Sequence, residues 1–304
     1  MKLAIIADIH GNIHALDAVL RDIDTQDVDQ IIVNGDLVNR GPNNVAVMER
    51  IMPLADQLIL GNHDDLVRKW VDRDPDLPEE WFDDPFWKGT EWTVEQLAEA
   101  GWIDALRDIP MTHKVTLPDT PRLIISHGSP RHYREGYGNF LRDEQISEIV
   151  QMYPYDILIG SHTHRQMVRR WGTHVLLNTG AVGAPFNRDP RAQYLLIMLR
   201  DHKWEWEFHA VEYDREAALD AFQEMDYLAE GGLSAHIFWE ELLYARAIYA
   251  PYWMWAETRE KPMNWRTWQE FRDEYGEHFF QPVTEPVGPP VPDRPDGSMP
   301  LPTF

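Results

Sequence analysis

Residues 1–14 read MKLAIIADIHGNIH, and the fold prediction starts from this stretch. Leu3 to Ala7 is a short apolar run rich in strand-forming residues, and Asp8, His10 and Asn12 follow where it ends. The pattern predicts a buried strand that places polar side chains at its carboxyl end. Asp8 and His10 suit a divalent metal, because they offer a charged oxygen and a neutral nitrogen. Alone, such a pair is also typical of an ordinary polar loop.

The composition limits the classes of protein to consider. The chain has 304 residues, enough for one elaborated domain or for a domain with an attached lobe. It has 28 Lys and Arg against 51 Asp and Glu, so the formal net charge is −23. This charge argues against a long nucleic acid as partner. It indicates a solvated acidic surface or, alternatively, an acidic interaction surface. Because the chain has no cysteine, disulfides and thiolate metal sites are excluded.

The apolar runs are too short for a membrane protein. None approaches the roughly 18 residues that a spanning helix needs. Acidic Asp8 interrupts the first run, so the N-terminus does not resemble a secretory signal. We therefore expect a cytoplasmic protein without a membrane partner. A homo-oligomer is left open beside a monomer.

Two more apolar runs near the N-terminus are followed by polar loops. Residues 31–33 lead into the loop Asn34-Gly35-Asp36-Leu37-Val38-Asn39-Arg40-Gly41-Pro42, and residues 57–60 lead into Gly61-Asn62-His63-Asp64. Helical patterns lie between the runs, so the repeat of strand, polar loop and helix predicts parallel strands in an α/β fold. Ligands collect at the carboxyl ends of such strands.

Later strands end in the same way. Residues 122–126 precede His127, and residues 157–159 precede His162 and His164. Two strand pairs are also predicted, 111–117 with 122–126 and 193–199 with 204–213.

The segments without a motif are predicted from composition and periodicity. Residues 66–110 are rich in Trp and are predicted to form an insertion. It has two interpretations, a lid over the site or a segment that packs onto the core. A helix is predicted over 93–106, with Thr93 as its N-terminal cap. A helical extension covers 214–281, with helices over 216–228, 233–249 and 265–275. Residues 282–304 form a Pro-rich tail with little structure of its own. The core is residues 1–213.

The side chains at the strand ends together indicate a two-metal site. Two divalent ions held about 3.5 to 4 Å apart can clamp a phosphoryl group and activate a water, and a carboxylate must bridge them. Asp36 is the best candidate for the bridge. Nitrogen and oxygen ligands without sulfur suit Mn, Fe, Co, Ni or Zn better than Ca.

The motifs at the strand ends resemble those of the calcineurin-like metallophosphoesterase superfamily. They are Asp8-x-His10, Gly35-Asp36-x-x-x-Arg40, Gly61-Asn62-His63-Asp64, His127-Gly128 and Ser161-His162-Thr163-His164. Within this superfamily, the chain is similar to the small bacterial phosphodiesterase branch. The resemblance implies an α+β fold of four layers (α/β/β/α), a β-sandwich flanked by helices. The all-parallel interpretation would then be only locally right.

The resemblance also implies roles for the site residues. Asp8, His10, Asp36 and His164 would hold one metal, and Asp36, Asn62, His127 and His162 the other. His63 would be the general acid or at least stabilise the leaving oxygen, with Asp64 to orient it. The nucleophile would be a hydroxide bridging two divalent transition-metal ions, with Mn the first choice. Substrates would be small or nucleotide-like phosphodiesters.

Several residues are left with two interpretations. Arg40 is a phosphate clamp or part of a structural salt bridge. Asn12 donates to a substrate oxygen or stabilises the turn after Gly11. His132 and Arg134 contact substrate or lie on a surface loop. The loop around Arg40 also resembles those of phosphoprotein phosphatases and dinucleoside tetraphosphatases, so a dinucleoside polyphosphate hydrolase or a protein phosphatase is the alternative function. A non-catalytic scaffold is a further one.

Overall fold

The computed structural model describes residues 1–138 and 140–283. Within these residues, strands form two five-stranded sheets. In chain order the strands are β1 (Lys2–Ile6), β2 (Gln30–Asn34), β3 (Gln57–Ile59), β4 (Thr112–Val115), β5 (Leu123–Ser126), β6 (Ile157–Gly160), β7 (Gln166–Trp171), β8 (His174–Thr179), β9 (Ala192–Arg200) and β10 (Lys203–Val211). The predicted tail, 282–304, lies outside the described residues from position 284 onward.

Both sheets are mixed. The first has the order β10-β9-β1-β2-β3 and the second the order β4-β5-β6-β8-β7. Strands β1, β2 and β3 are parallel, as are β5, β6 and β8. The antiparallel partners are β9 beside β1, β10 beside β9, β4 beside β5, and β7 beside β8. The parallel interpretation is therefore right for the central strands, and both predicted strand pairs are confirmed.

The two sheets pack face to face. Leu3 and Ile5 of β1 lie in the core between the sheets together with Ile125 of β5. Ala4 and Ile6 point the other way, into the core under the helices. Such alternation is the rule in strands, whose successive side chains point to opposite faces. The molecule thus has helices outside two stacked sheets, and the predicted four-layer fold is confirmed.

The helices cover the outer faces. In chain order they are α1 (Ile13–Asp24), α2 (Asn44–Ile51), α3 (Asn62–Asp72), α4 (Lys88–Glu99), α5 (Asp143–Met152), α6 (Arg215–Glu224), α7 (Tyr227–Glu230), α8 (Gly232–Tyr244), α9 (Tyr249–Thr258) and α10 (Trp265–Phe279). Short 3-10 helices cover Glu79–Phe82, Pro85–Trp87 and Ile103–Leu106. In the described part of the chain, no helix is both long and apolar enough to cross a membrane.

Two helix predictions are wrong in detail. Helix α4 begins at Lys88 because a 3-10 helix leads directly into it, so Thr93 lies inside the helix and is not its cap. Its hydroxyl donates to the carbonyl oxygen of Gly89 at 3.1 Å. The helix predicted over 233–249 is broken at Ala245, which has a φ of +46°, and α9 starts after the break.

The aromatic residues of the 66–110 insertion pack against the C-terminal helices. The Trp81 ring stacks on Trp87 with centroids 3.9 Å apart, and Phe86 stacks on Tyr249 at 5.3 Å. Trp87 also meets Trp253 of α9 edge to face at 5.5 Å. Aromatic pairs of this kind are chiefly packing material. The contacts favour packing over a lid, and the division into core, insertion and extension stays a prediction.

Candidate metal centre

The candidate ligands lie on loops that follow the parallel strands. Asp8 follows β1 and Asp36 follows β2, whereas His127 follows β5. Asn62 and His63 come after β3, and His162 and His164 come after β6. The parallel strands of both sheets therefore deliver their polar side chains to one edge of the sandwich, as the strand-end rule predicts.

One group of ligand atoms comes from Asp8, His10, Asp36 and His164, all buried and within 4.8 Å of one another. The Nε2 atom of His10 lies 3.2 Å from Nε2 of His164 and 3.6 Å from Oδ2 of Asp36. The Nε2 atom of His164 lies 3.4 Å from Oδ1 of Asp8. Facing ring nitrogens beside two carboxylates form a donor set typical of a divalent transition metal.

A second group shares Asp36 with the first. Its other members are His127 and His162, and these ligand atoms again lie within 4.8 Å of one another. The Nε2 atom of His127 is 3.2 Å from Oδ2 of Asp36. Asn62, at the start of α3, is buried as well. Asp36 is thus the residue common to both groups, which is the position that a bridging carboxylate requires.

Hydrogen bonds outside the cluster orient two of the rings. Nδ1 of His127 contacts the carbonyl oxygen of Asn34 at 2.8 Å, and Nδ1 of His164 contacts that of Ala184 at 2.6 Å. Metal-binding histidines are usually held in this way, with the other nitrogen turned toward the metal. Within the described residues, Oδ1 of Asp8 and Oδ1 of Asn62 are buried without a hydrogen-bond partner. Oδ1 of Asp8 lies 3.4 Å from Nε2 of His164 and 3.8 Å from Nε2 of His127, so a cation fits as its missing partner.

The backbone is left-handed at most of the candidate ligands. Those with positive φ are Asp8 (52°), His10 (49°), Asp36 (54°), His162 (59°) and His164 (56°). For residues other than glycine this conformation is uncommon and costs roughly 1–2 kcal/mol each. Such backbone concentrates at functional sites, where the surrounding structure holds it in place. The sequence carried no signal for this feature.

Burial dominates the ionisation of the cluster. It raises the pKa of Asp8 well above its usual range and lowers the pKa of His10 and His164 well below theirs. It also lowers the pKa of His162 to about 3. At His127 the carboxylates of Asp36 and Asp8 outweigh burial and raise the pKa to about 10. The low pKa values of His10, His162 and His164 give the neutral imidazoles that metal binding needs. The pKa shifts at Asp8 and His127 go the other way, and the charge of a bound cation would oppose both.

His63 lies beside the ligand groups. Its ring meets that of His10 edge to face, with centroids 4.9 Å apart, and its backbone N–H donates to Oδ1 of Asp36 at 2.8 Å. Burial lowers the pKa of His63 to about 3, so its ring is neutral at pH 7. Among the described residues, Nδ1 of His63 has no hydrogen-bond partner.

Asp64 does not make the expected contact with the His63 ring. Its Oδ2 accepts from the backbone N–H groups of Asp36 at 2.8 Å and Gly61 at 3.2 Å. Its Oδ1 accepts from Leu37 at 2.9 Å. Gly61 must be glycine for this approach, since a Cβ there would lie 2.1 Å from the backbone nitrogen of Asp36. Asp64 therefore holds the Asp36 loop, because the start of α3 packs directly against that loop.

The contacts of Asn12 are those of a residue that stabilises the turn after Gly11. Its Oδ1 accepts from the backbone N–H of Ala15 at 3.1 Å and so caps the N-terminus of α1. Its Nδ2 donates to the carbonyl oxygen of Gly183 at 3.0 Å. With both ends of the amide engaged, Asn12 ties the β1 loop to the loop after β8.

Arg40 is held in a buried ion pair. Its Nη2 lies 2.5 Å from Oε2 of Glu241 in α8, and 11% of the Arg40 side chain is exposed. The guanidinium also lies over the rings of Phe186 and Phe238 at 5.3 and 5.0 Å. Of the two interpretations, the salt bridge is the one that these contacts support. Sequence reasoning missed Glu241, whose only signal is an acidic pair inside an otherwise apolar helix.

Phe186 links this ion pair to the ligands. Its ring also stacks on the ring of His164, with centroids 4.2 Å apart and planes 11° from parallel. The cavity left between Arg40, His10 and Glu241 is only about 20 Å³. The C-terminal helices thus close the Arg40 side of the site.

Comparison with known proteins identifies the family. A family model described as calcineurin-like phosphoesterase matches residues 1–166. The chain belongs to the calcineurin-like phosphoesterase family. Members of this family are phosphoesterases that generally bind divalent metals, and the buried Asp and His cluster of this chain fits such ions. The predicted family is confirmed.

Relatives of this phosphoesterase carry less functional information. An uncharacterized protein of Methanocaldococcus jannaschii is 26% identical over 233 residues, 72% of this chain and 90% of the relative. A symmetrical bis(5'-nucleosyl)-tetraphosphatase of Erwinia tasmaniensis is 39% identical over 67 residues, which are 21% of this chain and 24% of that enzyme.

Solved structures agree on the fold. A metallophosphoesterase from Sphaerobacter thermophilus has a TM-score of 0.59 and 26% identity, with 76% of this chain and all of that chain (100%) covered. The protein PH1004 from Pyrococcus horikoshii has a TM-score of 0.58 and 20% identity, with 76% and 98% covered, and shows the fold alone.

Proposed function

We propose that this phosphoesterase is a phosphodiesterase that works with two divalent metals. The observation that carries the proposal is the pair of ligand groups that share Asp36, each with its donor atoms within 4.8 Å. Asp8, His10, Asp36 and His164 would hold one ion. The other would be held by Asp36, Asn62, His127 and His162, with Mn proposed as the native metal.

The metals and the protein have separate tasks. Two bound ions supply positive charge that lowers the pKa of a water and polarises the phosphoryl oxygens. Two carboxylates, four imidazoles and one amide would hold these ions in a buried site, where hydrogen bonds to backbone carbonyl oxygens fix the rings of His127 and His164. Burial also keeps bulk water from competing for the ligand atoms.

His63 is proposed to act on the leaving oxygen. A neutral ring retains one N–H, which it donates to the oxygen that separates from phosphorus. Hydrolysis is balanced because the water that adds to phosphorus supplies the proton that the leaving alcohol gains. The backbone bond from His63 to Asp36 holds the ring beside the ligands. We therefore assign His63 the role of hydrogen-bond donor in the transition state.

The ion pair of Arg40 favours a diester over a phosphate monoester. A monoester carries a second negative charge, which an arginine fork would otherwise bind. Here Glu241 already neutralises that guanidinium. A diester has one charge on its phosphate and needs no such partner.

A dinucleoside polyphosphate hydrolase is the second candidate. The local identity of 39% to a bis(5'-nucleosyl)-tetraphosphatase supports it. The match covers 24% of that enzyme, so the proposal does not include the whole enzyme's specificity. A protein phosphatase or a scaffold without activity would be detected by the same experiment.

The test uses metal-stripped protein titrated with Mn, Ni, Co, Zn and Mg. Its substrates are bis(p-nitrophenyl) phosphate, p-nitrophenyl phosphate, diadenosine tetraphosphate and a phosphopeptide. We expect metal-dependent cleavage of the diester, and a fall in kcat of roughly 100- to 10,000-fold in His63→Ala with two metals still bound. Asn62→Ala should bind the second metal more weakly. His202→Asn, in an exposed turn, is the matched control and should behave as wild type.

Other outcomes would change the assignment. Faster cleavage of diadenosine tetraphosphate than of any diester would favour the second candidate. Two bound metals without turnover of any of the four substrates would contradict the phosphodiesterase. A protein that binds no metal would favour the scaffold.

A further inference from the structure

An open cavity of about 120 Å³ lies beside the site and shares no lining residue with the small cavity at Arg40. Asn62 forms one wall of the cavity, so the cavity adjoins the second ligand group. Other walls come from Tyr133 and Arg134 on the loop after His127, and from Lys69 and Trp81 of the insertion. Because the C-terminal helices close the Arg40 side, this cavity is where a group attached to a bound phosphate has room.

The loop that carries Arg134 is rigid. The backbones of Ser129 and His132 exchange two hydrogen bonds of 3.0 and 3.2 Å. The Tyr133 hydroxyl donates to Oδ2 of Asp65 at 2.8 Å and so ties the loop to α3. These bonds fix the backbone beside Arg134, which lowers the entropy lost when its side chain binds a ligand.

The other cations near the cavity are already paired. Nζ of Lys69 lies 2.9 Å from a carboxylate oxygen of Asp76 and 3.4 Å from one of Asp65. On the same loop as Arg134, Arg131 forms ion pairs with Glu135 at 2.5 Å and with Glu148 at 2.9 Å. Their charges are therefore compensated within the protein.

Arg134 differs from these neighbours. No carboxylate in residues 1–138 or 140–283 lies within 4.0 Å of its guanidinium, which lies 6.0 Å from the centroid of the Tyr133 ring. Arg134 lines the same cavity as Asn62, so its positive charge lies next to the second ligand group. Its side chain is exposed and its charge is uncompensated in a chain of net charge −23, so it is available to an anionic ligand.

We propose that the cavity binds the leaving group of the substrate and that Arg134 binds a phosphate on that group. The proposal rests on the proposed phosphodiesterase function and specifies its substrate. A guanidinium suits phosphate because its N–H groups match two oxygens at once. Tyr133 and Trp81 offer aromatic surface for the rest of the group. The substrate is thus a diester whose leaving alcohol is itself a nucleotide.

The test compares a thymidine dinucleotide with and without a terminal phosphate, and adds bis(p-nitrophenyl) phosphate, which has no second phosphate. We expect wild type to prefer the phosphorylated dinucleotide roughly 10- to 100-fold in kcat/KM, as a charged hydrogen bond implies. Arg134→Gln should lose this preference, and Arg134→Lys should keep part of it. Hydrolysis of bis(p-nitrophenyl) phosphate should stay within about twofold in both variants. Arg200→Gln, at the exposed end of β9, is the matched control and should keep the full preference.

Binding gives a second readout that does not need turnover. Calorimetric titration of the metal-free protein with thymidine 5'-monophosphate, and with thymidine, should give at least about tenfold weaker nucleotide binding in Arg134→Gln. If the wild type hydrolyses none of the esters with any metal, the phosphodiesterase fails, yet this difference in binding would still support the subsite. Equal nucleotide binding by wild type and Arg134→Gln, or an unchanged preference in that variant, would overturn the inference.

Discussion

Replacing Asp64 by asparagine tests how the bridging loop is held. The carboxylate accepts four backbone N–H groups, two at each oxygen, at 2.8 and 3.2 Å and at 2.9 and 3.4 Å. The asparagine amide has one oxygen and can accept only two of these four hydrogen bonds, so one short and one long bond are lost. Its NH₂ group would then face buried backbone N–H groups, which are also donors. An unsatisfied buried group costs about 1–3 kcal/mol, so the free energy of unfolding should fall by roughly 2–4 kcal/mol.

The same change should weaken metal binding. Asp36 lies on the loop that Asp64 holds, and loss of an outer partner typically lowers metal affinity about 10- to 100-fold. Calorimetric titration of metal-stripped Asp64→Asn with Mn measures this loss, and thermal unfolding measures the change in stability. Asp72→Asn, at the end of the same helix, removes two exposed ion pairs, with Arg107 and Arg68, and should cost about 1 kcal/mol or less with metal affinity unchanged.

One result would contradict this role of Asp64. If Asp64→Asn binds two metals as tightly as wild type and loses only turnover, Asp64 acts on His63 and the loop assignment is wrong.

Two further predictions follow from the site. Arg40→Gln leaves Glu241 buried without its ion-pair partner. Thermal unfolding should therefore report a fall of about 3–5 kcal/mol in the free energy of unfolding, with the KM for a diester changed less than about tenfold. An unchanged melting temperature with a KM raised about 100-fold or more would instead make Arg40 a substrate clamp. Asp36→Asn removes the ligand shared by both groups, so metal analysis by atomic emission should find fewer than two ions per chain. Mn at about 100 times the wild-type Kd should stabilise wild type by roughly 2.7 kcal/mol but should not stabilise this variant as much. Two tightly bound ions in the variant would contradict the role of Asp36 as the bridge.

Some strands were harder to predict than others. Strand β1 is an apolar run that stops at Asp8, which is a strong local signal. Strand β7 was missed because it carries two adjacent arginines and only partial burial, so neither a continuous nor an alternating apolar pattern is present. The break between α8 and α9 was also missed. It depends on Glu241, whose Oε1 accepts from the backbone N–H groups of Ile248 and Tyr249 at the start of α9.

The sequence by itself determined the family, the central strands and the set of candidate ligands. It could do so because apolar runs that end in Asp, Asn or His report both a buried strand and the chemistry at its end, within a few adjacent residues. Tertiary structure alone decided the partners of Arg40, Asp64 and Asn12. Arg40 and Glu241 are 201 positions apart, and Asn12 and Gly183 are 171 apart. Such contacts depend on how the sheets and helices pack against one another. A local pattern of residues carries no information about which distant residue will become the partner.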